Sequence, residues 1–196
     1  SEMCIRDRYK GAERITSLLE GSKTLRKIDL RYNTIGDEGV AALFSSLRDN
    51  NTLSWLNLSH NNIQRDGALA IAKLLEVNRG LAELYLGKNA IGTDGAQALA
   101  YALKENQSLK HINLGYNQIG TEGAQALADL LRKNQTLEGI YLRDNNIEDE
   151  GIIALVDTLK TNTHLVFLNI GKNKITNQGA NALADALRIN ATLRVI

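Results

Sequence analysis

Leu109 to Asn117 reads LKHINLGYN. Leu109, Ile112 and Leu114 form an aliphatic frame, with Lys110, His111, Asn113 and Tyr116 between or beside its members. The end of the frame alternates with a period of two, the mark of a short strand with one buried side. The same frame returns along the chain at a fixed beat. Leu25, Leu53, Leu81, Leu109, Leu137, Leu165 and Leu193 are successive steps of 28 residues. Each is followed three places on by Ile28, Leu56, Leu84, Ile112, Ile140, Leu168 and Ile196, and most then by Leu30, Leu58, Leu86, Leu114, Leu142 and Ile170. Asn stands at 33, 61, 89, 117, 145 and 173, with Ile two places beyond, and Gly at 39, 67, 95, 123, 151 and 179. A fixed internal period of this length is the signature of a solenoid.

Each repeat also carries a second periodicity. In GAQALAYALKEN, which starts at Gly95, apolar residues fall at 98, 99, 102 and 103, the spacing of an amphipathic helix. Asp37, Thr93, Thr121, Asp149 and Asn177 occupy the slot predicted to cap that helix. Glu38, Asp66, Asp94, Glu122 and Glu150 follow, where a carboxylate suits the positive end of the helix dipole. Asn50, Asn78, Asn106, Asn134, Asn162 and Asn190 mark the helix exit, where Asn is expected to take the left-handed conformation.

Strand, helix and parallel strand make a right-handed crossover unit. Strands stack about 4.8 Å apart while helices need about 8–10 Å, so the stack must bend with its sheet inside. The expected fold is an α/β class, right-handed α/β solenoid with a concave parallel sheet and convex helices. Ala98, Ala126 and Ala182 are expected to let the helices sit close to the strands. The motif L-x-x-[LI]-x-L-x-x-N-x-I-x-x-x-G resembles the ribonuclease-inhibitor class of leucine-rich repeats. That family includes the C-terminal arrays of nucleotide-binding immune receptors and activators of the Ran GTPase. The resemblance implies a horseshoe segment, a cytoplasmic setting and a protein-binding role, with GTPase regulation of the Ran-activator type as the alternative.

The domain is expected to run over 9–196, as a half repeat holding Gly11 and Ile15, six full repeats and a terminal strand stub. The first eight residues, SEMCIRDR, resemble a translated sequencing adapter and hold the only Met and the only Cys of the chain. They are set aside as a non-native tail, so the chain is expected to be a piece of a longer protein. No polar terminal cap of the kind solenoids need is readable, which implies self-association through the ends.

The composition is that of a chain able to bury a core, at 43% hydrophobic and 23% charged residues. The net charge of +1 implies no polyanion, and bases are scattered among acids, so no nucleic-acid groove is expected. No apolar run reaches the length of a membrane span. A single Cys leaves no disulfide framework. The histidines fall in different columns, and no metal-ligand spacing, nucleophile motif or complete phosphate loop occurs. No cofactor, metal, small-molecule substrate or catalytic residue is therefore expected. Five Asn-x-Ser/Thr sequons occur, but four begin at a helix-exit Asn and are explained by the repeat itself.

The residues between the frame positions must face the hollow of the solenoid. Trp55, His111 and Phe167 precede the central aliphatic of their strands, and Asn57, Tyr85, Asn113, Tyr141 and Asn169 follow it. Arg143 comes next outward, and Tyr32, His60, Tyr116 and Asp144 stand at the strand exit. A solvated sheet has no packing need for so many rings, and rings interleaved with Arg, Asp and Asn match the composition of protein-binding hot spots. These residues are the candidate site, with a protein as the expected partner. Gly87, Gly115 and Gly171 are expected to leave open space beside the tyrosines. The column Asn33 to Asn173 is read as structural, since the resemblance implies that such an Asn bonds the backbone of its turn.

Overall fold

The computed structural model describes Thr16, Leu19 and residues 22–196. The adapter-like tail, the start of the domain at 9 and the half repeat with Gly11 and Ile15 lie outside the described residues. Six three-residue strands alternate with six helices: β1 (Lys27–Asp29), α1 (Gly36–Ser46), β2 (Trp55–Asn57), α2 (Arg65–Leu75), β3 (Glu83–Tyr85), α3 (Gly92–Leu103), β4 (His111–Asn113), α4 (Gly120–Lys133), β5 (Gly139–Tyr141), α5 (Asp149–Thr158), β6 (Phe167–Asn169) and α6 (Asn177–Ile189). The strands form one parallel sheet in sequence order. Leu56, Leu84, Ile112 and Ile140 pair in one row of its register. Those central residues are wholly buried, while the strand residues on either side, such as Glu83 and Tyr85, are half-buried and face the opposite wall. This is the expected α/β solenoid, with the sheet inside and the helices outside.

The glycine of the motif sets how closely the helices approach. A Cβ on Gly95 would lie 2.7 Å from Ile91 Cγ2 and 2.8 Å from Ala68 Cβ, and one on Gly123 would lie 3.3 Å from Ala96 Cβ. Neighbouring helices therefore meet Gly against Ala at their first turns. Ala98, Ala126 and Ala182 are half-buried and pack against the core, while the close approach of helix to helix is made by Gly95 and its equivalents.

Two ladders of asparagine stitch one repeat to the one before. In the first, the side-chain amide of Asn61 donates to Leu30 O at 2.8 Å, Asn89 to Leu58 O at 3.1 Å and Asn145 to Leu114 O at 2.9 Å. The Oδ1 of Asn145 in turn accepts from Asn117 N at 2.9 Å and Ile119 N at 3.3 Å. The structural reading of this column holds, and the bonds reach across repeats as well as within the turn. Buried backbone groups that the short strands leave over are satisfied in this way.

The second ladder corrects an expectation. The helix-exit asparagines do not adopt the left-handed conformation: Asn134 and Asn190 are extended, with φ of −74° and −72°. Their value lies in the side chain. Asn78 donates to Leu47 O at 2.9 Å, Asn106 to Leu75 O at 2.7 Å and Asn134 to Leu103 O at 2.8 Å, while Asn106 Oδ1 accepts from Leu109 N at 2.9 Å. Asn106 and Asn134 are buried and bonded, which removes them as glycan acceptors in the folded chain.

The capping slot is also corrected. Asp37, Thr93, Thr121, Asp149 and Asn177 sit first or second inside their helices, and among the described helices only Thr176 caps its own by a side chain, accepting from Gln178 N at 3.2 Å. The predicted caps reach forward instead. Asp37 accepts from Gln64 N at 2.7 Å, Thr121 from Glu148 N at 3.2 Å and Asp149 from Thr176 N at 2.9 Å, while Thr93 donates to Ile119 O at 2.8 Å. Thus each of these four steadies the start of the next repeat's helix. The acidic first turns are as expected.

Candidate functional site

Parallel pairing continues one step past each strand and places the strand-exit residues. Tyr32 N donates to Ser59 O at 3.1 Å, His60 N to Gly87 O at 3.0 Å, Lys88 N to Gly115 O at 2.8 Å and Tyr116 N to Arg143 O at 2.7 Å. To make the turn after this bond, Tyr32, His60, Lys88, Tyr116, Asp144 and Lys172 all take φ between 55° and 60°. A non-glycine residue there costs roughly 1–2 kcal/mol, and the left-handed conformation expected at the helix exits occurs here instead. It turns a row of large side chains toward the rim of the inner wall.

A hollow of about 500 Å³ opens on this wall. Tyr32, Trp55, Asn57, His60, Tyr85, Asn113, Tyr116, Tyr141, Arg143 and Asn169 line it, together with Arg31 and Lys88, which the sequence reading left out. His111, Asp144 and Phe167 stand outside the lining. Both omitted cations stood in the same outward columns, so column membership was the signal that could have found them. A larger groove of about 660 Å³ lies on the convex side between α1 and α2, lined mainly by apolar residues such as Ala41, Phe44, Leu69 and Val77. Ser45, Arg48, Asp66, Lys73 and Glu76 also border it, but Phe44 is its one ring, whereas the inner hollow gathers four tyrosines and Trp55, so the inner hollow is the stronger candidate for protein recognition.

The rings are packed against each other in pairs. Tyr32 stacks on His60 with centroids 4.2 Å apart, and Trp55 tilts against Tyr85 at 5.4 Å. The Tyr85 hydroxyl donates to Glu83 Oε2 at 2.7 Å. Burial, and then this bond, push its pKa up to about 12, so it remains a protonated donor. Lys88 Nζ lies 5.2 Å from the centroid of the Tyr116 ring, and Arg143 Nε donates to the Tyr116 hydroxyl at 3.1 Å. Outside the hollow His111 reaches Phe167, two strands away, at 6.1 Å. It does so by lying across Gly139, where an added Cβ would come within 2.3 Å of His111 Nδ1.

The expected open space beside the tyrosines is taken. A Cβ on Gly87 would lie 3.2 Å from Asn113 Oδ1, one on Gly115 3.3 Å from Arg143 O, and one on Gly171 3.3 Å from Asn169 Oδ1. Those Asn side chains fold back on their own turns: Asn57 accepts from Ser59 N at 3.0 Å, Asn113 from Gly115 N at 3.0 Å and Asn169 from Gly171 N at 3.1 Å. Each of these oxygens thus gives one of its two lone pairs to its own turn, which fixes the direction of the side chain.

No group of three or more His, Cys, Asp or Glu among the described residues could hold a metal ion. No helix among them is long and apolar enough to cross a membrane.

With its repeating strand, turn and helix in view, the chain can be placed. The family model described as "Leucine Rich repeat" matches it six times, at residues 21–44, 49–72, 77–100, 105–128, 133–156 and 161–184, and the chain belongs to that family. Solved structures share the fold. A tropomodulin C-terminal domain from Caenorhabditis elegans matches with a TM-score of 0.60 at 14% identity, covering 91% of this chain and 92% of that one. The structure described as leiomodin-1 actin-binding site 2 matches with a TM-score of 0.56 at 17% identity, covering 91% and 88%. An internalin from Listeria monocytogenes matches with a TM-score of 0.53 at 20% identity, and this chain spans 48% of its length. No curated protein sequence matches the chain.

Proposed function

We propose that this chain is a non-catalytic recognition module, of the ribonuclease-inhibitor class, that binds a protein partner through its concave face. Its proposed setting is the cytoplasm. The single supporting observation is that Trp55, Tyr85 and Tyr141, half-buried and on different strands, meet at one hollow with Tyr116 and Arg143. Rigid rings and an Arg oriented by a hydroxyl lose little freedom on binding, which favours affinity. That a similar fold in leiomodin-1 is described as an actin-binding site fits a binding role, without extending actin to this chain.

The test is a peptide-display selection on the folded chain, repeated on the Tyr85→Ala/Tyr141→Ala double variant and on Tyr101→Ala, whose ring lies exposed on the convex side. The expected result is a set of binders lost on the double variant and kept on Tyr101→Ala. Binders retained at unchanged affinity by the double variant would overturn the concave-face reading. A Ran GTP-hydrolysis assay separates this reading from the GTPase-activator alternative, since a recognition module leaves the rate unchanged.

A further inference from the structure

Lys88 and Arg143 line the hollow, and neither forms an ion pair among the described residues. Both converge on Tyr116, one over its ring and one at its hydroxyl. The remaining cation of the lining, Arg31, is already neutralised by Asp29 at 2.8 Å. Among the described residues, no carboxylate lines the hollow. Of those nearby, Asp29 is held by Arg31, Glu83 accepts the Tyr85 hydroxyl, and Asp144 stands at the strand exit outside it. Next to this uncompensated charge lies the apolar pair Trp55–Tyr85.

We infer that the hollow takes an acidic protein segment whose carboxylates pair with Lys88 and Arg143 above Tyr116, while an apolar side chain rests on Trp55 and Tyr85. The inference depends on the concave-face reading and specifies the partner's chemistry. The guanidinium of Arg143, with Nε held by Tyr116, still presents its outer nitrogens, which suit a carboxylate. Two unpaired cations at one point match a short acidic cluster. A nucleic acid would need cations spread along its phosphates, and the lining does not supply them.

The experiment is a random-peptide display selection on the wild-type chain and on the charge-reversed Lys88→Glu/Arg143→Glu variant. Lys88→Gln/Arg143→Gln serves as a milder second variant, and the melting curve of each verifies the fold. Wild type is expected to enrich peptides rich in Asp and Glu that also carry an aromatic or aliphatic residue. Their affinity is expected to fall about tenfold for each cation removed, and charge reversal is expected to enrich Lys and Arg instead. Neutral peptides that depend on Tyr85 and Tyr141 would overturn the acidic partner and leave the concave-face reading standing. Selections that return no peptide dependent on those two tyrosines would overturn both. A single-stranded RNA oligonucleotide that displaces the selected peptides at equal concentration would overturn the protein nature of the partner.

Discussion

The side-chain amide of Asn117 donates to the carbonyl of Leu86, 31 residues earlier, at 2.9 Å. It also donates to Leu114 O at 3.0 Å, and its Oδ1 accepts from Ile91 N at 3.3 Å. One buried side chain thus closes its own turn and fastens it to the preceding repeat.

Replacing Asn117 with Leu strands several of those backbone groups without water. Each costs about 1–3 kcal/mol, so Asn117→Leu is expected to lose at least about 3 kcal/mol in chemical denaturation. Asn33 holds the equivalent place in the first described repeat but is exposed, and among the described residues it bonds only Leu30 O and Arg31 O within its own turn. Asn33→Leu is therefore expected to cost less than about 1 kcal/mol. Equal losses at the two positions would contradict the cross-repeat role.

Gly95→Ala opposes two effects. Helix propensity favours Ala by about 1 kcal/mol. The new Cβ, however, would sit 2.7 Å from Ile91 Cγ2 and 2.8 Å from Ala68 Cβ, and overpacking of this kind costs about 1–3 kcal/mol. A net loss of up to about 2 kcal/mol is expected in urea unfolding. The exposed Gln97→Ala on the same helix is expected to stay within about 0.5 kcal/mol of wild type.

Much of this architecture was readable from residue types. Leu56, Ile112 and Leu114 announced the buried wall because burial repeats with the strand period, and the role of the Asn117 column was implied by the resemblance to leucine-rich repeats. Contacts that cross from one repeat to another were not readable. Asp37 looks like a cap for the helix that contains it, yet its carboxylate serves Gln64. The extended helix exits were missed because Asn106 suits both a left-handed backbone and a side-chain bridge. Gly87 looked like a vacancy because a missing Cβ says nothing about the neighbour that fills its place, here Asn113. The site columns were legible, but the grouping of Lys88 and Arg143 around Tyr116 depends on side-chain direction, which spacing does not carry.

Asp149 supplies an acid-sensitive clasp between the last two helices. Bonds from the Thr176 hydroxyl, Thr176 N and Gly179 N hold its carboxyl below the ordinary aspartate value of 3.8. A depressed carboxyl stabilises the fold above its unfolded value and loses that contribution as pH falls through the folded one. Wild type is expected to melt above Asp149→Asn at pH 7, with the gap closing as pH drops below 3.8. A gap that persists unchanged at pH 3 would rule out the linkage.

His60 titrates in the opposite region of the scale. Its pKa lies below 6.5, first because burial beside Tyr32 disfavours the cation and then because Lys88 repels it. Arg31 is the other charge on that side, and Asp29 already pairs with it. The unfolded chain therefore takes up this proton before the folded one, so the group subtracts stability as pH falls below 6.5. NMR titration of the ring is expected to give a midpoint under 6.5 in wild type. Lys88→Gln is expected to raise it in part and Tyr32→Ala to raise it further, since burial is the larger cause.

Every strand pairs with its successor at one constant offset, as Leu56 with Leu84 and Leu84 with Ile112, and each described helix packs only against its sequence neighbours. The molecule therefore behaves like a zip whose teeth are interchangeable. Excising one whole period would splice Asn ladder to Asn ladder without a break in phase, shortening the inner wall while leaving each surviving joint as it was. Removing any other number of residues would set the teeth out of step along the remainder of the chain. Lengthening or trimming by whole periods is thus the easy route by which such a wall is refitted to a guest of a different size.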